Sequence, residues 1–195
     1  FITDVDYTNS YSLNGFNFKN NSANYNTTKI TNNGWHLNFK GAANQSKTDS
    51  AKAKGNESDG TKNYQVNLNG NKWLNDNLKL KSTFYYRDTK SAYDSSATKE
   101  ESVTSDNKMY ALQTGIERKT ENSLDNIIFH YHNYDRKYYV QGKKDKYYSK
   151  SLVAKAEREV VVDNKLSYGY GSEYKYDWGH YLTKTFASQT RGHLS

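Results

Sequence analysis

Polar and apolar residues alternate along this chain. From Asn63 to Trp73 it reads Asn-Tyr-Gln-Val-Asn-Leu-Asn-Gly-Asn-Lys-Trp. Positions 63, 65, 67, 69 and 71 are all Asn or Gln, while Tyr64, Val66 and Leu68 occupy the other set. A period of two puts one set on each side of a β-strand. In Trp35–Ala43, Trp35, Leu37 and Phe39 oppose His36, Asn38 and Lys40. Leu78, Leu80, Phe84 and Tyr86 oppose Lys79, Lys81 and Arg87. Tyr110, Leu112 and Ile116 oppose Gln113 and Glu117, and Ile127, Phe129 and Tyr131 oppose His130 and His132. Leu152, Ala154, Ala156 and Val160 oppose Lys155, Glu157 and Glu159. Leu166, Tyr168, Tyr170, Tyr174 and Tyr176 oppose Lys165, Glu173 and Lys175. The one helix-like start, Ala154–Arg158, runs into the β-branched Val160-Val161-Val162 and reads better as strand. One or two less regular strands are expected within Ile2–Ile30. The total is about eight or nine strands of roughly ten residues, the length that crosses a bilayer at a tilt.

The connections alternate in length. Thr31-Asn32-Asn33-Gly34, Leu74-Asn75-Asp76-Asn77, Thr120–Leu124 and Asp163-Asn164 are short and carry turn residues. Lys47–Gly60, Thr89–Asp106, Lys137–Tyr147 and Asp177–Thr190 are predicted as long, charged loops rich in Ser, Lys, Asp and Tyr. This alternation places every long loop at one end of the sheet, as in a membrane barrel with short periplasmic turns and long outer loops.

Composition narrows the classes. The chain has 195 residues, no Cys, no Pro and 19 Tyr against 7 Phe and 3 Trp. The mean hydropathy is −1.10, and no window approaches the roughly 20 apolar residues of a transmembrane helix. Without Cys there is no disulfide scaffold, thiolate zinc site, iron–sulfur site or cysteine nucleophile. Disordered chains are poor in aromatics and rich in Pro, the opposite of this one. So much Tyr with so few aliphatics suits a polar interior and an aromatic exterior. A soluble β-sandwich has a Val, Leu and Ile core instead. The fold class read from the chain is all-β: an antiparallel meander forming part of a transmembrane β-barrel, open as an isolated chain. One domain, 1–195, is expected. The chain runs from Phe1 to Ser195 without a basic and apolar leader at its start, and neither end reads as a natural terminus.

The hairpins Asn63–Trp73 with Leu78–Asp88, Asn107–Lys119 with Ser123–Tyr134, and Lys150–Val161 with Lys165–Asp177 give the chain a family likeness. Over most of Tyr25–Asp177, helped by Asp59-Gly60 and Tyr93-Asp94, it resembles the TonB-dependent outer-membrane receptors, most of all their cobalamin-transporting branch. The resemblance implies a barrel of twenty-two strands, a plug domain and a TonB box. It places this chain in the early-to-middle barrel, without plug, TonB box or final aromatic strand. It implies location in the outer membrane of a Gram-negative bacterium and uptake of cobalamin or another scarce chelate, such as a siderophore or haem. The implied partners are that small molecule, the membrane with its lipopolysaccharide, and the TonB complex acting through the plug.

Chemistry-bearing residues are few. His130 and His132 stand two apart on one strand face, where imidazoles converge. No third ligand can be assigned, and they read better as two polar residues of a lumen wall. Asp49, Glu57, Asp59, Asp94 and Asp106 fall in two neighbouring predicted loops and could supply hard oxygens to calcium. The family resemblance implies calcium ordering of such loops, with Asp59 fitting best; ordinary solvated charge is the alternative. Tyr138, Tyr139, Tyr147 and Tyr148 flank Lys143, Lys144 and Lys146. They form either a ligand-facing patch or an aromatic girdle whose lysines reach lipopolysaccharide phosphates. No nucleic-acid motif and no catalytic signature appears, and no enzyme activity is expected. Two other functions stay open: a passive porin or small complete barrel, and a soluble β-sandwich adhesin or carbohydrate-binding module. Closure between the first and last strands would favour the former, a second packed sheet the latter.

Overall fold

The computed structural model describes residues 2–11, 18–49, 58–96, 99–140, 143–162, 166–181 and 184–191, with side chains described within 20–47, 59–93, 103–140, 143–162 and 166–180. Ten strands form one antiparallel meander in sequence order. They are β1 (Ile2–Tyr11), β2 (Phe18–Ile30), β3 (His36–Asp49), β4 (Ser58–Trp73), β5 (Leu78–Ser96), β6 (Lys99–Lys119), β7 (Ser123–Val140), β8 (Lys143–Val161), β9 (Ser167–Tyr181) and β10 (Lys184–Arg191). Each strand pairs with its sequence neighbours, and no pairing of β1 with β10 closes the sheet.

The short turns are closed by local chemistry. Gly34 takes a φ of +81°, which a side chain would strain, while the Trp35 amide donates to the Thr31 hydroxyl at 3.0 Å. The Asn77 amide donates to the Asn75 side chain at 3.0 Å, and the Ser123 amide to the Thr120 hydroxyl at 3.0 Å. Asp163 and Asn164 lie outside the described residues, but the Val162 amide reaches the Leu166 carbonyl at 2.9 Å across them.

The opposite end departs from the sequence reading. The segments read as long loops are largely strand: β3 runs to Asp49, β5 to Ser96 and β7 to Val140, and β6 alone holds 21 residues. Asp177–Thr190 holds the end of β9 and most of β10. Ile2–Ile30 holds two strands, β1 and β2, as expected, and β10 brings the total to ten, one above the eight or nine expected. At about 3.3 Å per residue, β6 is close to 70 Å long, about twice what a bilayer needs. The loop-like sequence marks strand that runs past the apolar band, where the ladder continues without any apolar alternation to announce it.

Register sorts the side chains as the alternation predicts. Directly paired residues share a face, so Phe39–Leu68–Phe84–Leu112–Tyr131–Leu152–Tyr176 is one continuous row. Above it runs Tyr25–Gly41–Val66–Tyr86–Tyr110–Asn133–Lys150–Trp178. The other face carries Lys40–Asn67–Tyr85–Ala111–His132–Ser151–Asp177 at matching height. The apolar face is the more open one. Ile127 and Phe129 are each 51% exposed, while Ile128, His130 and His132 between and beyond them are partly covered. Among the described residues no second layer packs on either face, so the more open face is the convex one. Its neighbours spread apart, while the polar residues converge on the concave side. A soluble sandwich buries its apolar face against a second sheet, and none is present among the described residues. The sheet is the wall of an outer-membrane type of β-barrel, apolar outside and polar inside.

Candidate functional site

Two charged rows bracket the convex apolar band. At the long end Lys108 pairs with Asp88 at 3.8 Å, and Lys146 with Asp135 at 3.6 Å. At the turn end Asp125 receives Arg118 at 2.5 Å and Arg158 at 3.3 Å. Lys108 and Arg118 stand ten residues apart on β6, as do Asp125 and Asp135 on β7. Ten residues rise about 33 Å along a strand, and a tilt near 40° reduces that to about 25 Å. That height matches the lipid-facing band of outer-membrane barrels. Aromatic contacts gather in its upper half, where Tyr131 lies 5.9 Å from Tyr110 and 6.4 Å from Trp178 between ring centres. Tyr110 and Trp178 stand one row nearer the upper ion pairs, where an aromatic ring stays in hydrocarbon while its polar atom turns toward the headgroup layer.

The concave face is mostly polar over the same height, with Ala111, Ile128 and Val153 among its amides and charges. Over β2–β5 it is an amide wall: Asn38 donates to Asn26 and Thr28 at 3.0 Å each, Asn69 to Asn67 at 2.7 Å, and Thr83 to Asn69 at 3.0 Å. Over β5–β9 it becomes ionic, with the pairs Lys81–Glu117, Lys155–Glu157 at 2.6 Å and Lys175–Asp177 at 3.0 Å. His130 and His132 do share this face. His132 lies in a row with Ser151 and Asp177, and His130 in a row with Gln113 and Val153. Among the described residues no three His, Asp or Glu side chains come together around a metal position.

Just beyond the upper ion pairs, the concave side of β5–β8 holds the one compact cluster among the described residues. Val103 is fully buried and Ser105 only 4% exposed. Arg136 lies between two tyrosines, 5.3 Å from the Tyr138 ring centre and 6.0 Å from that of Tyr147. The Tyr93 hydroxyl donates to the Tyr138 hydroxyl at 3.4 Å, Tyr134 to Asn107 at 3.0 Å, and Asn107 to Ser105 at 3.0 Å. The bond to Tyr138 and partial burial raise the Tyr93 pKa above the usual tyrosine value, against the pull of the Arg136 charge, so the phenol stays protonated. No carboxylate lies within ion-pairing distance of Arg136 among the described residues, and its buried Nε has no hydrogen-bond partner there. The hairpins thus present an uncompensated guanidinium between aromatic shelves, which can bind an anion carried on a ring system.

The sequence pointed near this cluster without finding its centre. Of the four tyrosines singled out, Tyr138 and Tyr147 belong to it, while Tyr139 and Tyr148 are on the convex face. Lys144 and Lys146 are also convex, Lys143 concave. Arg136 was not singled out, because its place between Tyr138 and Tyr147 depends on the β7–β8 register. The calcium candidates do not assemble among the described residues. Asp59 and Asp106 border one depression of about 370 Å³, but share it with Lys47, Lys62 and Lys90. Three ammonium groups against two carboxylates are a poor setting for a dication. The side chains of Asp49, Glu57 and Asp94 lie outside the described residues.

No family model and no curated protein matches the chain. Among solved structures it is similar to the ferric yersiniabactin uptake receptor FyuA from Yersinia pestis: 10% identity over 99% of this chain, TM-score 0.48. It spans 37% of that receptor's length. It is also similar to the β domain of the Bordetella autotransporter Brka, at 10% identity over 98% of this chain and 92% of that one, TM-score 0.37. At such identities and TM-scores the likeness says nothing of substrate.

Proposed function

We propose that this chain forms part of the wall and mouth of an outer-membrane transporter that captures a scarce anionic chelate from outside. The observation that carries the reading is Arg136, held between Tyr138 and Tyr147 at the open end of a polar concave wall. Cobalamin, haem and many siderophores each join a ring system to an anionic group, the pairing that this clamp fits. The sequence resemblance favours active, TonB-dependent uptake, with cobalamin first among these ligands. Energy coupling would then pass through a plug outside these residues, and the chain itself has no catalytic step. A passive closed barrel is less well supported, because β1 and β10 each pair with one neighbour only. A soluble sandwich is disfavoured by the open apolar face.

The test is ligand binding by the full chain in detergent, read as quenching of its Trp and Tyr fluorescence. Cyanocobalamin, haemin, a ferric siderophore and a neutral oligosaccharide form the panel. At least one anionic chelate should bind saturably and lose about tenfold or more in affinity on Arg136→Ala, since a hydrogen bond to a charged group contributes about 1.5–3 kcal/mol. Binding that is unchanged by Arg136→Ala, or limited to the oligosaccharide, would overturn the reading.

A further inference from the structure

The amide wall over β2–β5 is satisfied unevenly. Its row Thr28–Asn38–Asn69–Thr83 is bonded within itself and to the row above, through Asn38 to Thr28 and Asn26, Asn69 to Asn67, and Thr83 to Asn69. Higher up the bonding stops. Between the rows Asn26–Lys40–Asn67–Tyr85 and Asn24–Ala42–Gln65 lies a hollow of about 420 Å³ on the concave side. Ala42 creates it, because a methyl group stands in the row between the longer Asn24 and Gln65 and next to Lys40. Asn24, Lys40, Gln65 and Tyr85 line the hollow and make no side-chain hydrogen bond or ion pair among the described residues. Asn26 and Asn67 each accept one bond, and neither donates its own amide N–H to a described side chain. The hollow spans three strand spacings, about 14 Å, and its volume falls in the range of small-molecule sites.

We propose that this hollow is a binding site for a neutral oligosaccharide, held through its paired hydroxyl groups. A side-chain amide presents a donor and an acceptor side by side, and neighbouring sugar hydroxyls present the same two functions. Asn24, Gln65, Asn26 and Asn67 supply four such amides, and Lys40 adds further N–H donors. Tyr85 gives the hollow one aromatic side, with an apolar ring for the C–H face of a sugar and a hydroxyl for its edge. The site is independent of the Arg136 clamp, which stands two strands away on β7 and one row above Asn24 and Gln65.

The test is calorimetric titration of maltotriose, cellotriose and a polyethylene glycol of similar length into the complete barrel that contains these strands. The detergent carries a phosphocholine headgroup, because a glycoside detergent would compete for the site. At least one trisaccharide should bind saturably and the glycol should not, since ether oxygens accept hydrogen bonds but donate none. Ala42→Leu fills the hollow and should weaken saccharide binding by about tenfold or more. Ala111→Leu makes the same change at the same height, one strand beyond Tyr85, and should alter it by less than about twofold. Asn24→Ala and Gln65→Ala should each cost about threefold to tenfold, the worth of one neutral hydrogen bond. β-sheet circular dichroism on every variant separates misfolding from lost binding. Equal losses from Ala42→Leu and Ala111→Leu would overturn the proposal. So would glycol binding as tight as that of the sugars, unchanged affinity in both Asn24→Ala and Gln65→Ala, or no saturable saccharide binding at all. Chelate capture is read through Arg136→Ala and saccharide binding through Ala42→Leu, so either site can fail while the other stands.

Discussion

Leu112→Arg probes the membrane reading at its most sensitive point. Leu112 lies on the convex face of β6, four residues from Lys108 and six from Arg118, near the middle of the apolar band. An arginine at the midplane of a barrel's lipid face costs about 2–4 kcal/mol, falling to about 0–1 near the interfaces. The unfolding equilibrium of Leu112→Arg should therefore shift by about thirtyfold to several-hundredfold. Tyr110→Arg and Ile116→Arg, each two residues from a charged row, should shift it by less than about tenfold. Gln113→Arg, next in sequence but facing inward, should cost less than about 0.5 kcal/mol. The assay is guanidinium unfolding of the complete barrel that contains these strands, refolded into phosphatidylcholine vesicles and followed by tryptophan fluorescence. The depth profile decides the matter. Leu112 and Ile116 are almost equally exposed on the bare sheet, at 44% and 42%, so in water the two arginines would cost the same small amount. Equal costs at 112 and 116, or a cost at 113 matching that at 112, would refute the reasoning.

Two further results follow from local geometry. A β-carbon on Gly115 would sit 2.5 Å from the Ile127 carbonyl oxygen, whereas one on Gly41 meets nothing closer than 3.6 Å. Gly115→Ala should cost about 1–3 kcal/mol in the same unfolding assay and Gly41→Ala close to nothing. At the mouth, the Tyr93 pKa is raised by its bond to Tyr138 and by partial burial. Because the folded value lies above the unfolded one, its contribution to stability is complete below about pH 10 and lost as pH rises through the folded pKa. Tyr93→Phe should remove a late-titrating phenol from the alkaline absorbance curve at 295 nm; an unchanged curve would contradict the Tyr93–Tyr138 bond.

The membrane-facing part of the fold was legible because lipid on one side and water on the other force a period of two. Phe39, Leu68, Phe84, Leu112 and Leu152 were all assigned from alternation alone, and register places them in one row. The protruding parts were not legible. Thr89–Asp106 extends beyond the apolar band, so no lipid selects alternate positions and strand reads as loop. The candidate site lies partly there, at Tyr93, Val103 and Ser105, and otherwise on the equally extended ends of β7 and β8. Tyr138 and Tyr147 were visible as tyrosines in the sequence, but Arg136 becomes their partner only once β7 and β8 pair. The hollow around Ala42 was hidden for the same reason, since its lining is spread over β2 to β5.

The covering that this sheet needs can be read from its surfaces. Its accessible area is 13657 Å², against about 9,500 Å² for a compact protein of 22.5 kDa. The excess is what a single layer leaves bare, and its two faces call for different solvents. The convex face offers Leu, Phe, Ile and Tyr, with Asn133 and Lys150 in the row nearest the upper ion pairs, in a band ended on both sides by ion pairs, so its covering must be largely apolar and about 25 Å tall. A packed protein layer would not require charges at two fixed heights; a bilayer does. The concave face offers amides and ion pairs that are already partly satisfied, so water or a polar plug suffices there. The outer edges of β1 and β10 remain, and unpaired backbone groups are not tolerated in hydrocarbon. A bilayer covers one face but cannot pair an edge, so the same membrane that completes the convex face requires further strands to complete the barrel.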